Sequence, residues 1–172
     1  SLRSHIGVVQ QDNYLFSGTV LHNIAYGRPE ATHEQIIEAS KLAGAHEFIS
    51  SLPNGYDTFI GERGVKLSGG QKQRISIARA LARKPEILGF DDSFSALDYR
   101  TDAKLREGLS KQLHDTTKII VAQRISTIRH ADKIIVLDRG EAVGIGTHEE
   151  LMQHCDVYRE IATSQLSAAE LA

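Results

Sequence analysis

The sequence has one cysteine, three prolines and no long apolar segment. A single thiol, Cys155, cannot form an internal disulfide, which fits a reducing compartment. The longest apolar runs, such as residues 134–137, have four residues, whereas a membrane-spanning helix needs about twenty. The eight histidines are scattered without metal-ligand spacing, and His148 lacks the E-x-x-H context of a zinc site. These absences exclude a disulfide framework and a helix-borne zinc motif.

The chain also lacks charge of one sign. Twenty basic residues face twenty-two acidic ones, so the net charge is −2, and no overall electrostatic attraction to nucleic acid is expected. With 172 residues, of which 41% are hydrophobic and 24% charged, the composition is that of one soluble globular domain. One basic cluster could suggest nucleic acid, but we expect its long side chains to cover a helix and pair with acids. Its members are Lys72, Arg74, Arg79, Arg83 and Lys84.

The start of the chain has neither an initiator methionine nor a signal-peptide hydrophobic region. It enters an apolar strand pattern almost at once, which favours a fragment of a longer protein. A helix-rich segment then interrupts a pattern of alternating strands and helices, which predicts an α/β fold. The predicted strands are residues 6–9, 87–90, 118–122 and 133–138, and the predicted helix caps are Thr19, Thr32, Ser68 and Thr147. We expect an α/β core (residues 1–13 and 84–160), a helical subdomain (14–83) and a tail (161–172).

The pentapeptide LSGGQ at residues 67–71 combines two features of an anion site. Ser68 and Gln71 form an S-x-x-Q capping box, and two glycines between them bare the backbone amides of a helix start. Free N–H groups and the helix dipole there favour a phosphate. Taken alone, the pentapeptide is equally satisfied by a well-capped helix after a glycine turn.

Five segments resemble motifs of the ATP-binding cassette (ABC) family, and they follow one another along the chain in the family's order. The resemblance covers nearly all of the chain. LSGGQKQRISIARAL (67–81) resembles the signature region, ILGFDD (87–92) the Walker B strand, and SALD (95–98) the D-loop. VVQQDNYLF (8–16) resembles the Q-loop, and GERG (61–64) resembles the X-loop of the exporter branch. The resemblance implies a P-loop NTPase fold, a RecA-like parallel sheet with an inserted helical signature subdomain.

The resemblance also implies roles for single residues. Asp91 would hold Mg²⁺ through water, with Gln11 as a second magnesium and water contact. Two cassettes would sandwich two ATP molecules, and closure of the sandwich would drive the membrane domains. The residues that would clasp the partner's ATP are Ser68, Gly69, Gly70 and Gln71, and those of the D-loop that crosses to the partner are Ser95, Ala96, Leu97 and Asp98.

One family motif is absent. The chain contains no G-x-x-x-x-G-K-[ST] and no Gly-Lys pair, so it lacks the backbone cradle and the lysine that hold the phosphates. In the family this motif lies before the Q-loop, and we therefore expect a chain truncated before Walker A. By itself the chain is expected to be inactive.

The residue after the Walker B aspartate resembles the family's catalytic glutamate position, and here it is Asp92. Its carboxylate is one methylene shorter, and a general base must act within about 2.6 to 3.2 Å of its proton. The alternative is that Asp92 only caps the turn that follows.

VAQRIST at residues 121–127 resembles the switch loop, whose histidine contacts the γ-phosphate, and here that position is Gln123. Glutamine can donate a neutral hydrogen bond but cannot become a cation near neutral pH. A surface glutamine at a strand end is the alternative. The two changes together predict a site that binds ATP and hydrolyses it slowly.

An intact LSGGQ beside a degenerate site implies a heterodimeric exporter at the cytoplasmic face of the cell membrane, tethered through a missing N-terminal transmembrane domain. The implied partners are a second nucleotide-binding domain and this transmembrane domain, with no nucleic acid, and the implied cofactors are ATP and Mg²⁺. Residues 14–16 would receive a coupling helix from the membrane domain, or would simply pack in the core.

Four other functions fit parts of this pattern. A homodimer with two weak sites is the first, and a regulatory nucleotide-binding module without turnover is the second. A repair or translation cassette is disfavoured because no long heptad arms follow the Q-loop. An importer subunit is disfavoured because GERG and residues 17–27 resemble exporters.

Overall fold

The computed structural model describes residues 5–12, 14–61 and 65–165. The chain divides into two compact units, Ser1–Val121 and Ala122–Ala172. Most of the predicted X-loop (62–64) and the end of the predicted tail (166–172) lie outside the described residues.

The first unit contains five strands, five helices and a short 3₁₀ turn among its described residues. In chain order they are β1 (Ile6–Val9), β2 (Gly18–Thr19), α1 (Val20–Ala25), α2 (His33–Leu42), α3 (His46–Ser50), the 3₁₀ turn (Gly55–Asp57), β3 (Phe59–Ile60), α4 (Gly69–Ala82), β4 (Ile87–Asp91), α5 (Tyr99–Gln112) and β5 (Thr117–Val121). The described part of the second unit continues with α6 (Ile125–Ile128), β6 (Ile134–Asp138), β7 (Glu141–Gly146), α7 (His148–His154) and α8 (Asp156–Gln165).

The centre of the first unit is a parallel sheet in the order β1-β4-β5. Alternate residues point to opposite faces of a strand, and Val9, Leu88 and Phe90 face a buried apolar core that the helices complete. The opposite face carries the exposed side chains of Val8 and Ile119. The parallel sheet with packed helices confirms the predicted α/β class.

Local sequence signals set the helix starts as predicted. The capping boxes at Thr32 and Ser68 are both formed, and the Thr19 hydroxyl accepts from the backbone N–H of His22. Helix α4 ends where Lys84 adopts a positive φ of 51°, one residue before Pro85, which cannot continue a helix.

Two features of the interrupting segment, which is predicted to be helix-rich, are not signalled by the sequence. Strands β2 and β3 pair antiparallel over two residues each. Two residues are too few to show the alternation of apolar and polar residues from which a strand is predicted. In addition, helix α4 approaches Gly27 so closely that an added Cβ would lie 2.2 Å from the Arg79 carbonyl oxygen. The segment that follows α1 is therefore packed directly against the backbone of α4.

The second unit is a β6-β7 hairpin packed with helices around its own apolar core. One final helix was predicted after Thr147, but the structure has two, because Cys155 adopts an extended conformation between α7 and α8. The buried His148 and Tyr158 side chains then share a 2.8 Å hydrogen bond between Nδ1 and the hydroxyl. Burial lowers the pKa of His148, because removal from water disfavours the charged imidazolium.

None of the described helices combines the length and the apolar character needed to cross a bilayer.

Candidate functional site

Two carboxylates lie at the carboxyl end of β4, the edge at which parallel sheets place their ligands. Asp91 is the last residue of the strand and is exposed, and Asp92 follows it half-buried. The Asp92 backbone N–H donates to the Val121 carbonyl at 2.9 Å, which extends the β4–β5 pairing by one step. Asp92 has a φ of 43°, a left-handed conformation that aspartate tolerates better than most residues.

Gln11 and Asp92 meet at this edge although 81 positions separate them. The Gln11 Nε2 donates to Asp92 Oδ2 at 3.4 Å, because β1 and β4 are parallel neighbours that end at the same level. The contact joins two residues that the resemblance places at the magnesium and the attacking water.

Ser93 is absent from the predicted site residues, yet its hydroxyl bridges the ends of β1 and β4. Its side chain is buried, and its hydroxyl lies 2.7 Å from the Val9 carbonyl and 3.2 Å from the Asp91 carbonyl. One side chain thereby contacts the last residue of β1 and the last residue of β4. A small polar residue directly after two acids was the available signal.

The backbone carbonyl of Asp92 accepts hydrogen bonds within the turn after β4. The Asp92 carbonyl accepts from the Ser95 hydroxyl at 2.8 Å, whereas the carboxylate accepts from Gln11.

The LSGGQ segment forms the N-terminal turn of α4. Ser68 Oγ accepts from the Gln71 N–H at 3.3 Å, and the Ser68 N–H donates to Gln71 Oε1 at 2.9 Å. Helix geometry leaves the N–H groups of Gly69 and Gly70 without intrahelical acceptors. Because the Ser68 oxygen only accepts here, its proton remains available to a ligand. The turn presents three donors toward one side of a helix start.

The predicted D-loop residues lie against this turn of the same chain. A Cβ built on Gly70 would come within 3.3 Å of the Ala96 carbonyl oxygen, while Leu97 is buried and Ser95 is exposed. Asp98 caps α5 by accepting from the backbone and the hydroxyl of Thr101, at 3.0 and 2.7 Å. These hydrogen bonds, led by the one from the hydroxyl, lower the pKa of Asp98, so its carboxylate already has a local structural task.

Gln123 belongs to the second unit and is exposed. Its carbonyl accepts from Gln165 Nε2 at 2.8 Å, and the Gln165 Oε1 accepts from the Ile125 N–H at 2.9 Å. The backbone of the predicted switch segment is thus anchored by α8.

Two arginines of the basic cluster, Arg74 and Arg79, form hydrogen bonds with carbonyl oxygens, a partner that their predicted pairing with acids does not include. The guanidinium of Arg74 donates to the carbonyls of Gly44 and Gly70, and that of Arg79 donates to the carbonyls of Asn23 and Tyr14. Except for that of Gly70, these carbonyl oxygens lie in connecting segments or at a helix end, where they have no partner within a helix or sheet. The two arginines therefore hold neighbouring segments in place.

No group of three or more histidine, cysteine or acidic side chains suited to a metal occurs among residues 5–12, 14–61 and 65–165. The oxygen donors available at the β4 edge are the carboxylates of Asp91 and Asp92 and the amide of Gln11. Such a set fits Mg²⁺, which takes one or two protein oxygens and fills its remaining positions with water and phosphate.

Comparison with known proteins places this geometry in context. Residues 1–95 match the family model described as "ABC transporter". The chain is 53% identical over 165 residues to the "Putative multidrug export ATP-binding/permease protein YgaD" of Bacillus subtilis (strain 168). It is 54% identical over 165 residues to a protein of Staphylococcus aureus (strain NCTC 8325 / PS 47) that carries the same description. Each alignment covers 96% of this chain and 28% of the relative.

A solved structure shares the fold. "Structure of a bacterial Atm1-family ABC exporter with ATP bound" superposes with a TM-score of 0.89 at 44% identity, covering 94% of this chain and 29% of that chain. The chain therefore spans less than a third of the length of the proteins it resembles.

Proposed function

This chain belongs to the ABC transporter family, and we propose that it is part of an ATP-hydrolysing nucleotide-binding domain that powers export across a membrane. The observation that carries the proposal is the contact between Gln11 and Asp92 at the end of β4, in a chain whose α4 opens with a donor-rich LSGGQ turn. The β4 edge has the groups that hydrolysis of an ATP bound there would need. The LSGGQ turn has the donors that would bind a phosphate of an ATP held by another domain.

The roles at the β4 edge follow from donor chemistry. Asp91 is the exposed carboxylate that would hold Mg²⁺ through water, and Gln11 would contribute its amide oxygen. When bound, the metal neutralises developing charge on the phosphates. Asp92 would orient the attacking water and accept its proton, with Gln11 fixing the direction in which the carboxylate points.

The site of this chain is proposed to be slow. The side chain of Asp92 is one methylene shorter than that of the glutamate in the family. At position 123 a neutral glutamine amide stands where the family has the imidazole of histidine. Losing one general acid or base costs about a hundred- to ten-thousand-fold in rate. We infer that the site retains ATP while a second, competent site turns over.

The LSGGQ turn would complete that second site. The N–H groups of Gly69 and Gly70 and the Ser68 hydroxyl would donate to the γ-phosphate of ATP held by the partner domain. Because this turn is intact and the β4 edge is altered, the partner is proposed to be a different chain, which makes the assembly a heterodimer. The D-loop residues 95–98 would lie at the same interface.

The membrane partner is proposed to be a permease domain of the same transporter, as in relatives described as ATP-binding/permease proteins. Tyr14 is 70% exposed, and it stands with Phe16 at a cavity of about 400 Å³ whose wall also includes Ser76 and Arg79. An exposed aromatic beside a cavity suits the apolar end of a short helix. We propose on this basis that the cassette lies at the cytoplasmic face of the membrane.

The proposal is tested by ATP hydrolysis of the full-length transporter that carries this sequence, purified with its partner in lipid nanodiscs. We expect Mg²⁺-dependent release of phosphate that stops when EDTA is added, because the carboxylate and amide donors act on Mg-ATP. Phosphate release that persists in EDTA, or no release above that of empty nanodiscs, would contradict an ATPase role.

A further inference from the structure

Arg79 occupies an unusual position for a charged residue of α4. It is ten residues beyond Gly69, about 15 Å along the helix, and its side chain turns toward the segment that follows β1. Its guanidinium donates three hydrogen bonds: Nε to the Asn23 carbonyl at 2.8 Å, Nη2 to Asn23 Oδ1 at 2.9 Å, and Nη1 to the Tyr14 carbonyl at 3.0 Å. Three of the five N–H donors of the planar guanidinium are thus directed at uncharged oxygens.

Asn23 joins this fork to the backbone of the same segment. It is completely buried in α1, and its Nδ2 donates to the carbonyls of Phe16 and Thr19 at 2.9 and 3.0 Å. Its Oδ1 accepts from the Phe16 N–H at 2.8 Å as well as from Arg79. Both donors and both acceptor positions of the amide are occupied, so any displacement of residue 16 relative to α4 breaks hydrogen bonds in a buried place.

Aromatic packing reinforces the same connection. The Arg79 guanidinium carbon lies 5.1 Å from the centre of the Phe16 ring, within the range of a cation–π contact. The Phe16 ring in turn meets Tyr14 edge-on at 5.3 Å and Tyr26 at 4.4 Å. Residues 14–16 are therefore held by backbone hydrogen bonds and by ring contacts. Both kinds of contact include Arg79 of α4.

This connection joins the two parts of the proposed site, which are the Gln11–Asp92 contact and the LSGGQ turn. The held segment begins three residues after Gln11, which contacts Asp92. Helix α4 begins with the LSGGQ turn, and a 14-residue helix transmits a displacement of one end to the other as a nearly rigid rod.

We propose that Arg79 is a positioning residue that, through Asn23, locks residues 14–16 to α4 and so fixes the LSGGQ turn relative to the Gln11 loop. The proposal rests on the proposed function, because the positions it fixes belong to that site. Arginine is required by its geometry: lysine keeps the charge but can direct its ammonium at only part of this set of oxygens. Loosening the lock leaves ATP loading intact and lowers the frequency with which the LSGGQ turn reaches its phosphate.

The test compares Arg79→Lys and Arg79→Met in the full-length transporter with its partner. We expect kcat for Mg-ATP to fall about tenfold in both, the effect of losing one or two hydrogen bonds to a charged group. The Kd of the fluorescent analogue TNP-ATP is expected to stay within about twofold of the parent, since nucleotide loading does not involve α4. Asn23→Ser, which removes only the shared amide, should show the same pattern with about a threefold fall.

Leu113→Ala is the control for general destabilisation, because it truncates a partly buried side chain of the same core at the end of α5, a helix that contributes no residue to the lock. It is expected to lower the Tm while kcat per folded transporter stays near the parent value. A kcat of parent magnitude in both Arg79 variants, or an equal fall in Leu113→Ala, would overturn the positioning role. If the Arg79 variants do not fold, a parent-like kcat in Asn23→Ser overturns it instead.

Gly69→Asp in the same assay separates this inference from the proposed function. Full turnover in Gly69→Asp would mean that the LSGGQ turn does not serve ATP, and the proposed function itself would fail. Loss of turnover in Gly69→Asp together with parent-like Arg79 variants would remove the positioning role alone.

Discussion

Asp92→Glu combined with Gln123→His is expected to accelerate hydrolysis at the site of this chain by about a hundredfold, the low end of what a general acid or base contributes. The added methylene brings the carboxylate within reach of the attacking water, and the imidazole restores a group that can carry charge near neutral pH. Phosphate release by the purified full-length transporter measures the effect.

The size of the change in total turnover distinguishes the possible assemblies. In a heterodimer whose other site already turns over, converting the slow site adds one hydrolysis to each closure, so total turnover should rise only about twofold. In a homodimer both sites are converted, and total turnover should rise about a hundredfold. A transporter that shows no change has a site limited by something other than these two residues.

Asp92→Asn is the matched control, because it keeps the shape of the side chain and removes the carboxylate. The heterodimer predicts near-parent turnover for this variant, since its ATP flux comes from the other site. The left-handed φ of 43° at this position also accepts asparagine readily, so the control should fold as the parent does. Glutamate adopts this left-handed backbone conformation less readily than asparagine or aspartate. A small loss in Tm is therefore expected for the variant that combines Asp92→Glu with Gln123→His.

Gly69→Asp is expected to lower turnover of the transporter by about a hundredfold or more, because the new carboxylate repels the negative charge that the backbone N–H groups of the LSGGQ turn would stabilise. The substitution places a carboxylate beside the phosphate that the LSGGQ turn would bind. A Cβ at Gly69 meets nothing within 4 Å in this chain, so the fold tolerates the side chain. TNP-ATP binding should be unchanged, because nucleotide loads on the other domain.

Gly69→Asn separates charge from size in this experiment. It is nearly isosteric with aspartate but neutral, and we expect it to retain most of the parent's turnover. If Asn and Asp abolish turnover equally, the glycine is needed for close approach and not for the absence of charge. If Asp has no effect, the LSGGQ turn does not face a phosphate during turnover.

Much of the fold could be predicted because its signals are local. The capping boxes at Thr32, Ser68 and Thr147 each use two side chains three residues apart, and the structure forms all three. The apolar run at residues 87–90 predicts a strand, and the structure forms it over Ile87–Asp91. In each case the residues that decide the conformation are neighbours in the chain.

The rest depends on partners that are distant in sequence. The short strands β2 and β3 exist only through one another, and the break at Cys155 separates two helices that the sequence predicted as one. Arg79 was expected to pair with acids, yet its partners are carbonyls 56 and 65 positions away. The contact between Gln11 and Asp92 was predictable only in outline, since parallel strands bring their ends together without specifying which side chains touch.

The asymmetry of the two sites is tested most directly by counting products in a single closure. The full-length dimer is loaded with radiolabelled ATP without metal, Mg²⁺ is added with excess unlabelled ATP, and the bound nucleotides are quenched and separated. We predict a burst of about one ADP per dimer, with about one labelled ATP retained. A burst of about two ADP per dimer, or retention of both ATP molecules while steady-state hydrolysis proceeds, would contradict a slow site paired with a competent one.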